Sequence, residues 1–258
     1  MKLVKLGGSV ITDKSKLRAF KSGACDRLAR ELSTAKDSLG IVHGAGSFGH
    51  IEAKKHSLHQ GFKEDAQLKF VVRVQRDVRE LNLKVLESLI GRGIRAVSVP
   101  PAAAGVFWDG QIRSFDREPF ESVLKLGLTP VSFGDVVPDE SMGFSICSGD
   151  LIMEALAREF KPAIVIFCAD VDGVFEADPK RNRKAKLIPQ LDLETLGSIK
   201  RTQSKNADVT GSIYAKLERM LAISRSCERC MIVNGNVPGR LEKALQGEEV
   251  VSTVVVPG

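Results

Sequence analysis

The stretch Leu3-Val-Lys-Leu-Gly-Gly-Ser9 decides the fold, because a short strand-forming run leads directly into two adjacent glycines. Most of its strand residues are apolar, which is typical of a strand that is covered on both faces of a sheet. Similar runs rich in Val and Ile follow along the chain. The predicted strands are 3–6, 40–43, 95–99, 129–133, 163–168, 230–234 and 250–256.

Helical patterns separate these strands. They are predicted at 22–35, 66–90, 150–159, 211–226 and 239–246. Strands that alternate with helices indicate an α/β fold, in which a mostly parallel central sheet is covered by helices in a three-layer αβα sandwich. Hairpins are predicted at 106–113, with Asp109-Gly110 in a type I′ turn, and at 136–147. We expect residues 1–258 to form a single domain, with a lobe boundary near residue 160.

Composition excludes several classes of protein. The net charge of +6 arises from Lys and Arg spread along 258 residues, and one Trp and one Tyr offer little base stacking, so we expect no nucleic acid partner. The basic run 180–186 is interpreted as a solvated loop. No apolar run of about 18 residues is present, so we expect no membrane span. Five cysteines, an odd number, favour a reducing, cytoplasmic compartment, and Cys227-Glu-Arg-Cys230 is interpreted as incidental thiols.

Glycines follow the first two strands. Lys5-Leu-Gly-Gly-Ser9, with Lys14 nearby, could hold phosphate through backbone N–H groups and ammonium charges, although a tight turn explains it equally well. His43-Gly-Ala-Gly-Ser-Phe-Gly-His50 contains the spacing of a dinucleotide fingerprint on the wrong strand. What remains is a glycine-rich loop at the start of a helix, able to hold an anion. His50 could donate to a phosphate oxygen or cap local backbone.

Three later segments combine acidic or hydroxyl side chains with a helix start or a strand end. Ser148-Gly149-Asp150 opens a helix, where Asp150 could be an N-cap or could orient lysines. Asp170-Val-Asp172-Gly follows the fifth strand and leads to Asp178-Pro179. The segment from Asp208 to Lys216 places a capping segment and a glycine at another helix start, which favours an anion.

In this order, the segments resemble the amino acid kinase family over nearly the whole chain. The matching features are Lys-x-Gly-Gly-Ser, the glycine-rich loop, Ser-Gly-Asp, Asp-Val-Asp-Gly-Val with Asp-Pro, and Asp-Val-Thr-Gly…Lys. The residues around Lys5–Lys14 and His43–His50 look like the isopentenyl phosphate kinases of that family. The resemblance implies an amino acid kinase fold, with an acceptor-binding lobe at about 1–160 and a nucleotide-binding lobe at about 161–258.

It also implies a reaction that uses ATP and Mg²⁺ and transfers the γ-phosphoryl group to isopentenyl phosphate, giving isopentenyl diphosphate and ADP. The implied catalytic residues are Lys5, Lys14, His50 and Asp150. The implied ATP-binding residues are Lys5, Gly7, Gly8, Ser9, Gly46, Asp170, Gly211, Ser212 and Lys216. The implied acceptor-binding residues are Ala45, His50 and Gly149. No direct protein ligand to a metal is implied, and family habit implies a homodimer.

Two positions depart from the family pattern. Gly211-Ser212 stands where Gly-Gly is usual, and Ser252-Thr253 stands where Gly-Thr is frequent. An isoprenoid tail also needs an apolar slot, for which the helix 66–90 could supply a wall through Phe70 or Val74, unless both simply pack in the core. The alternatives are a fosfomycin kinase or another small-acceptor kinase, a non-catalytic nucleotide sensor on the same fold, and a dinucleotide oxidoreductase.

Overall fold

A computed structural model describes residues 1–177, 179, 182, 184–203 and 211–257, without the side chains of 200–203 and 211–213. The helices are α1 (Gly8–Ile11), α2 (Ser22–Leu32), α3 (Gly46–Lys55), α4 (Leu68–Ile90), α5 (Glu118–Lys125), α6 (Gly149–Phe160), α7 (Leu193–Gln203), α8 (Gly211–Ser224) and α9 (Arg240–Leu245). Short 3₁₀ turns lie at Leu58–Gln60, Asp65–Gln67 and Pro101–Ala103.

The strands are β1 (Lys2–Leu6), β2 (Leu39–His43), β3 (Ala96–Ser98), β4 (Gly105–Trp108), β5 (Gln111–Phe115), β6 (Thr129–Phe133), β7 (Asp135–Asp139), β8 (Gly143–Cys147), β9 (Ile164–Ala169), β10 (Val174–Phe175), β11 (Leu187–Ile188), β12 (Gln190–Leu191), β13 (Arg229–Asn234) and β14 (Ser252–Val255). Within the described ranges, eight of them form one sheet in the order β12-β14-β13-β9-β1-β2-β6-β3. Its pairs are parallel except β13 with β14. The predicted mostly parallel sheet is confirmed.

The two faces of β1 show how the layers assemble. Leu3 packs with residues of α6 and α8, whereas Val4 and Leu6 pack with residues of α2, α4 and α9. Successive side chains of a strand point to opposite faces, so β1 contributes to an apolar core on each side of the sheet. The predicted αβα sandwich is therefore confirmed, and the sheet continues across residue 160.

The sequence prediction located the long elements better than the short ones. Each of the seven predicted strands is present, and so are the five predicted helices, with ends that differ by a few residues. It missed β10, β11, β12, α5 and α7. It described the region of α1 as a turn and placed a glycine-rich loop where α3 begins. Glycines at the starts of α1 and α3 lower intrinsic helix propensity, and these helices form because their sides pack against the sheet and α4.

Both predicted hairpins are present, and one carboxylate joins their tips. Asp109 and Gly110 have φ values of +49° and +69°, as a type I′ turn requires, which confirms that turn between β4 and β5. The Asp139 carboxylate accepts N–H bonds from Gly110 at 2.9 Å, and from Ser141 and Met142 at 3.0 and 2.9 Å. The turn of the β4–β5 hairpin is therefore tied to the turn of the β7–β8 hairpin.

No helix in the part of the chain that the structure describes is both long and apolar enough to cross a membrane.

The Asp139 carboxylate gives a pH-dependent stability prediction. Burial alone would raise its pKa, but the backbone donors outweigh burial and lower the pKa from 3.8 to about 2. Because the folded pKa is the lower one, this stabilisation is complete above about pH 4 and is lost as the pH falls through about 2. Asp139→Asn should therefore lower the free energy of unfolding by about 2 kcal/mol at pH 7.

Urea unfolding at pH 7, 4 and 2.5 measures this difference, which should shrink at the lowest pH. Glu248→Gln, at an exposed position, is the matched control and should change stability by less than about 0.5 kcal/mol. An equal loss for Asp139→Asn at all three pH values would contradict the assignment.

Candidate functional site

The predicted site residues meet at one edge of the sheet. Because β1, β2, β6, β9 and β13 run parallel, their carboxyl ends and the loops that follow lie along the same edge. The structure brings together there most of the residues predicted from the sequence. They are Lys5, Gly7, Gly8, Ser9, Ala45, Gly46, His50, Gly149, Asp150 and Asp170.

A buried ion pair lies at the centre of this edge. The Lys5 Nζ donates to Asp150 Oδ1 at 2.6 Å, and Lys5 is only 7% exposed. Since Lys5 alternates with Val4 along β1, its side chain points to the face of the sheet that is covered by α6. Asp150 lies in the first turn of α6, while the helix cap is Ser148, whose Oγ accepts the Leu151 N–H. The interpretation of Asp150 as the N-cap of α6 is therefore wrong.

Several cations act on this pair. Burial lowers the pKa of Lys5 to about 8, with Asp150 opposing the shift and Lys216 and Lys14 adding to it. Burial would raise the pKa of Asp150, but the charges on Lys5 and Lys216 outweigh burial and lower it. Asp150 thus stays ionised near neutral pH among three lysines. Such a group of cations around one carboxylate can bind a multiply charged anion.

The glycine loops after β1 and β2 touch each other through their backbones. A methyl group on Gly8 would lie 2.6 Å from the Gly46 nitrogen and 2.7 Å from its Cα, so neither loop has room for a side chain at this contact. Thr12 joins the loops as well, because its hydroxyl donates to the Gly8 carbonyl at 2.6 Å and accepts the Ser47 N–H at 3.0 Å. The two loops form one continuous wall.

Backbone nitrogens lie beside this wall on the β2 and β6 side. A methyl group on Gly134 would lie 3.3 Å from the Gly149 nitrogen and 3.6 Å from the Ala45 nitrogen. Gly149 opens α6, and the first N–H groups of a helix have no partner within it. Two backbone amides in this position suit the oxygens of a small anion. Gly134 is part of this arrangement, although no sequence signal distinguished it from other glycines.

His50 lies in the first half of α3 rather than after a loop. Its side chain is exposed. Desolvation by the surrounding protein, together with the charges on Lys14 and Lys5, lowers its pKa, so the ring is neutral near pH 7 and can donate one N–H. The exposed Lys14 therefore lies near both His50 and Lys5, as the sequence prediction required.

An apolar cluster lies on the same side as His50. It is formed by Leu58, Val74, Val78, Phe133, Val136 and Phe144, with Ala45, Ala53, Phe70, Val71 and Ile146 partly buried against it. Val74 is 2% exposed, so it belongs to the core, whereas Phe70 is half-buried. The Phe70 ring stacks on His56 with centroids 3.3 Å apart, which holds it at the surface of the cluster.

The opposite side of the site is built by the loops after β9 and β13. The Ser9 hydroxyl donates to Asp170 Oδ1 at 3.0 Å, which connects the first glycine loop to this region. Asp172 accepts the Asn234 side-chain N–H at 3.1 Å and also pairs with Arg240. Lys216, in α8, lies close enough for its charge to lower the pKa of both Lys5 and Asp150.

The two departures from the family pattern differ in outcome. Thr253 is fully buried, accepts the Val174 N–H at 2.8 Å and donates to the Ile188 carbonyl at 2.6 Å, so its hydroxyl holds β10 and β11 together. Gly211 and Ser212 begin α8, but their contacts lie outside the described residues. Asp178 and Asp208 lie outside the described residues, and so do Lys180, Arg181 and Arg183 of the basic run at 180–186.

Sequence reasoning missed some supporting residues. Thr12 lies in the resembling stretch, but its bridging hydroxyl depends on a contact 35 residues away. Lys21 donates to the Ser9 carbonyl at 3.1 Å and thereby supports α1. A basic residue seven positions after Lys14 is a weak signal in a chain with 38 Lys and Arg residues.

Comparison with known proteins agrees with this geometry. A model of the amino acid kinase family matches residues 1–234. The isopentenyl phosphate kinase of Thermoplasma acidophilum is 37% identical over 256 residues, covering 99% of this chain and 100% of that protein. The isopentenyl phosphate kinase of Methanothermobacter thermautotrophicus is also 37% identical, covering 98% of each chain.

A crystal structure of the T. acidophilum isopentenyl phosphate kinase product complex superposes with a TM-score of 0.83 at 34% identity, covering 99% of each chain. The fold and the sequence thus point to the same relatives over nearly their whole lengths. The chain belongs to the amino acid kinase family, in the branch that contains the isopentenyl phosphate kinases.

Proposed function

We propose that this protein is a kinase that transfers the γ-phosphoryl group of ATP to isopentenyl phosphate, giving isopentenyl diphosphate and ADP. The observation that carries the proposal is the position of His50, a neutral hydrogen-bond donor beside the Lys5–Asp150 pair and on the same side as an apolar cluster. A phosphate head and an isoprenoid tail need these two surroundings side by side. The isopentenyl phosphate kinases similar to this chain support the same choice.

The donor phosphates bind along the first glycine loop. The backbone N–H groups of Gly8 and Ser9 approach the phosphate oxygens, with Gly46 on the other side of the wall and Lys5 supplying charge. Gly7 supports the loop instead, because its N–H donates to the Cys168 carbonyl at 2.9 Å. Asp170 and Lys216 line the nucleotide site, together with Gly211 and Ser212 at the start of α8. In this arrangement the nucleotide occupies the half formed by residues 161–258 and the acceptor occupies the half formed by residues 1–160.

The acceptor phosphate binds next to the wall. His50 donates to one of its oxygens, and the backbone of Ala45 and Gly149 holds the others. One of its oxygens forms a bond to the γ-phosphorus while the bond to the bridging oxygen of ADP breaks. Because the acceptor is already an anion near neutral pH, no strong general base is required, and Lys14 and Lys5 stabilise the transferring phosphoryl group. Asp150 orients these lysines.

Mg²⁺ would enter with the nucleotide. Among the residues that the structure describes, no group of three or more His, Cys, Asp or Glu side chains is placed to hold a metal ion. Phosphate oxygens and water satisfy most of the octahedral shell that Mg²⁺ prefers, so the site suits an ion held mainly by ATP. When bound, the ion would neutralise charge on the β- and γ-phosphates.

We also propose that the chain acts as a homodimer, which light scattering behind size exclusion would measure directly.

The first prediction concerns the acceptor. ADP release should be fastest with isopentenyl phosphate in a panel that includes fosfomycin and small carboxylates. His50→Ala should lower kcat/KM for isopentenyl phosphate by about 10²-fold, because a preorganised donor to the phosphate is lost. His59→Ala, at an exposed position, is the control and should behave like the unchanged protein.

The panel separates the candidate functions. A preference for fosfomycin, or a His50→Ala variant with unchanged kcat/KM, would contradict isopentenyl phosphate as the acceptor. The proposed kinase activity would stand in either case. No ADP release with any acceptor, together with ATP binding, would indicate a nucleotide sensor, and NADH binding would indicate an oxidoreductase.

The second prediction concerns Lys14. Lys14→Ala should lower kcat by about 10²- to 10³-fold and change the KM for ATP little, because the ammonium group is needed most where charge develops during transfer. Lys16→Ala removes an exposed cation two residues away and should leave kcat within about twofold. A Lys14→Ala variant that raises only the KM for ATP would show that Lys14 binds the ground state.

The third prediction concerns pH. The pKa of Lys5 is lowered to about 8, so kcat/KM for ATP should fall as the pH rises through about 8 and the Lys5 ammonium loses its proton. Asp150 raises the pKa of Lys5, so Asp150→Asn should lower that pKa further and move the alkaline limb of the profile to lower pH. Profiles from pH 6 to 10 measure both effects, and a limb that stays in place or moves upward would contradict this account.

A further inference from the structure

A buried carboxylate that is not among the residues assigned to the reaction lies in α2. Glu31 is 3% exposed. Removing a carboxylate from water is costly unless hydrogen bonds replace the lost hydration. The hydrogen-bond partners of Glu31 therefore indicate the role of this buried carboxylate.

Glu31 binds the backbone at the start of α9. Its Oε1 accepts the Gly239 N–H at 3.0 Å. Its Oε2 accepts the N–H groups of Leu241 and Glu242 at 3.1 and 3.3 Å. One carboxylate thus satisfies three backbone donors at the end of the loop that follows β13.

Arg27 holds the other end of the same loop. Its Nη1 donates to Glu31 Oε1 at 2.7 Å, and its Nη2 donates to the Gly235 carbonyl. The N–H of Gly235 donates to the Ala169 carbonyl at 2.8 Å. The Arg27–Glu31 pair therefore fixes both ends of the loop Gly235-Asn-Val-Pro-Gly239 (the 235–239 loop).

The 235–239 loop lies on the nucleotide side of the site. It follows β13 where Asn234 pairs with Ala169, the residue before Asp170. Asp170 in turn accepts the Ser9 hydroxyl from the first glycine loop. Ligands of parallel sheets bind at the carboxyl ends of the strands, and β13 lies two strands from β1 in the sheet. The 235–239 loop therefore lies farther along this edge than the first glycine loop, on the side where the nucleoside end of a bound nucleotide would lie.

From this geometry we infer that Arg27 and Glu31 are positioning residues that hold the 235–239 loop in the conformation that binds the adenosine end of ATP. The inference rests on the proposed kinase function. The pair touches no substrate atom. It acts by removing alternative loop conformations, so that ATP does not have to order the loop when it binds. A loop anchored at both ends by one rigid helix satisfies this requirement.

Glu31→Gln keeps the shape of the side chain but replaces one acceptor oxygen with a donor group that faces backbone N–H. It should weaken ADP binding by about tenfold, the scale of one unsatisfied buried group. The KM for ATP should rise by the same factor, whereas kcat at saturating ATP and the KM for isopentenyl phosphate should stay within about twofold. Titration calorimetry with ADP measures the binding without requiring turnover.

Asp139→Asn is the matched control, because Asp139 is also a buried carboxylate that accepts several backbone N–H bonds, at the hairpin tips. It should lower the melting temperature and leave ADP affinity unchanged. Equal ADP affinity for Glu31→Gln and the unchanged protein, or an equal loss for Glu31→Gln and Asp139→Asn, would overturn the inference.

Arg27→Gln is the second variant, in case Glu31→Gln does not fold. It breaks the contact with Gly235 and leaves the contacts of Glu31 with α9 in place. ADP binding should weaken by about threefold, and Arg27→Lys should restore part of the loss. Unchanged binding in Arg27→Gln would overturn the role of the pair. Absence of ADP binding by the unchanged protein would instead remove the kinase proposal on which the inference rests.

Discussion

The arrangement of the site depends on the buried ion pair between Lys5 and Asp150. Its 2.6 Å contact joins β1 to the first turn of α6, so a charge at the centre of the sheet is fixed next to backbone amides. Charges this deeply buried are stable only with close partners, and each group supplies the partner of the other. Because Lys14 and Lys216 act on this pair, and the pair in turn acts on His50, it also sets the electrostatic character of the whole edge.

Much of the fold follows from the sequence. The β-strands of the main sheet are short, apolar and separated by helical patterns, so their alternation predicts the layers without knowledge of contacts. The order of the phosphate-facing segments predicts that Lys5, Gly8 and Asp150 share one edge, because parallel strands place their carboxyl ends together. The sequence prediction was weaker for helices that tertiary packing stabilises in spite of a low intrinsic helix propensity. An example is α3, which begins with glycine and has few apolar residues at helical spacing.

The remaining features depend on contacts between residues far apart in the chain. Thr12 and Ser47 are separated by 35 positions, and Glu31 and Gly239 by 208. A single hydroxyl or carboxylate has many possible partners, and only the folded chain selects one. Asp150 illustrates the opposite error: it stands at the right helix start for a cap, but Ser148, two residues earlier, takes that role, which leaves Asp150 available to Lys5.

The contact between Gly8 and Gly46 has a consequence for how such a protein could acquire new substrates. The two glycine loops meet through their backbones, and a methyl group on either glycine would collide with the other loop or with Thr12. The relative position of the two loops is therefore set by main-chain atoms, and a side chain at either glycine would displace one of the loops. Adaptation to a different acceptor is left to the neighbouring apolar cluster, where partly buried side chains such as Phe70 and Ile146 can change size without moving the two glycine loops.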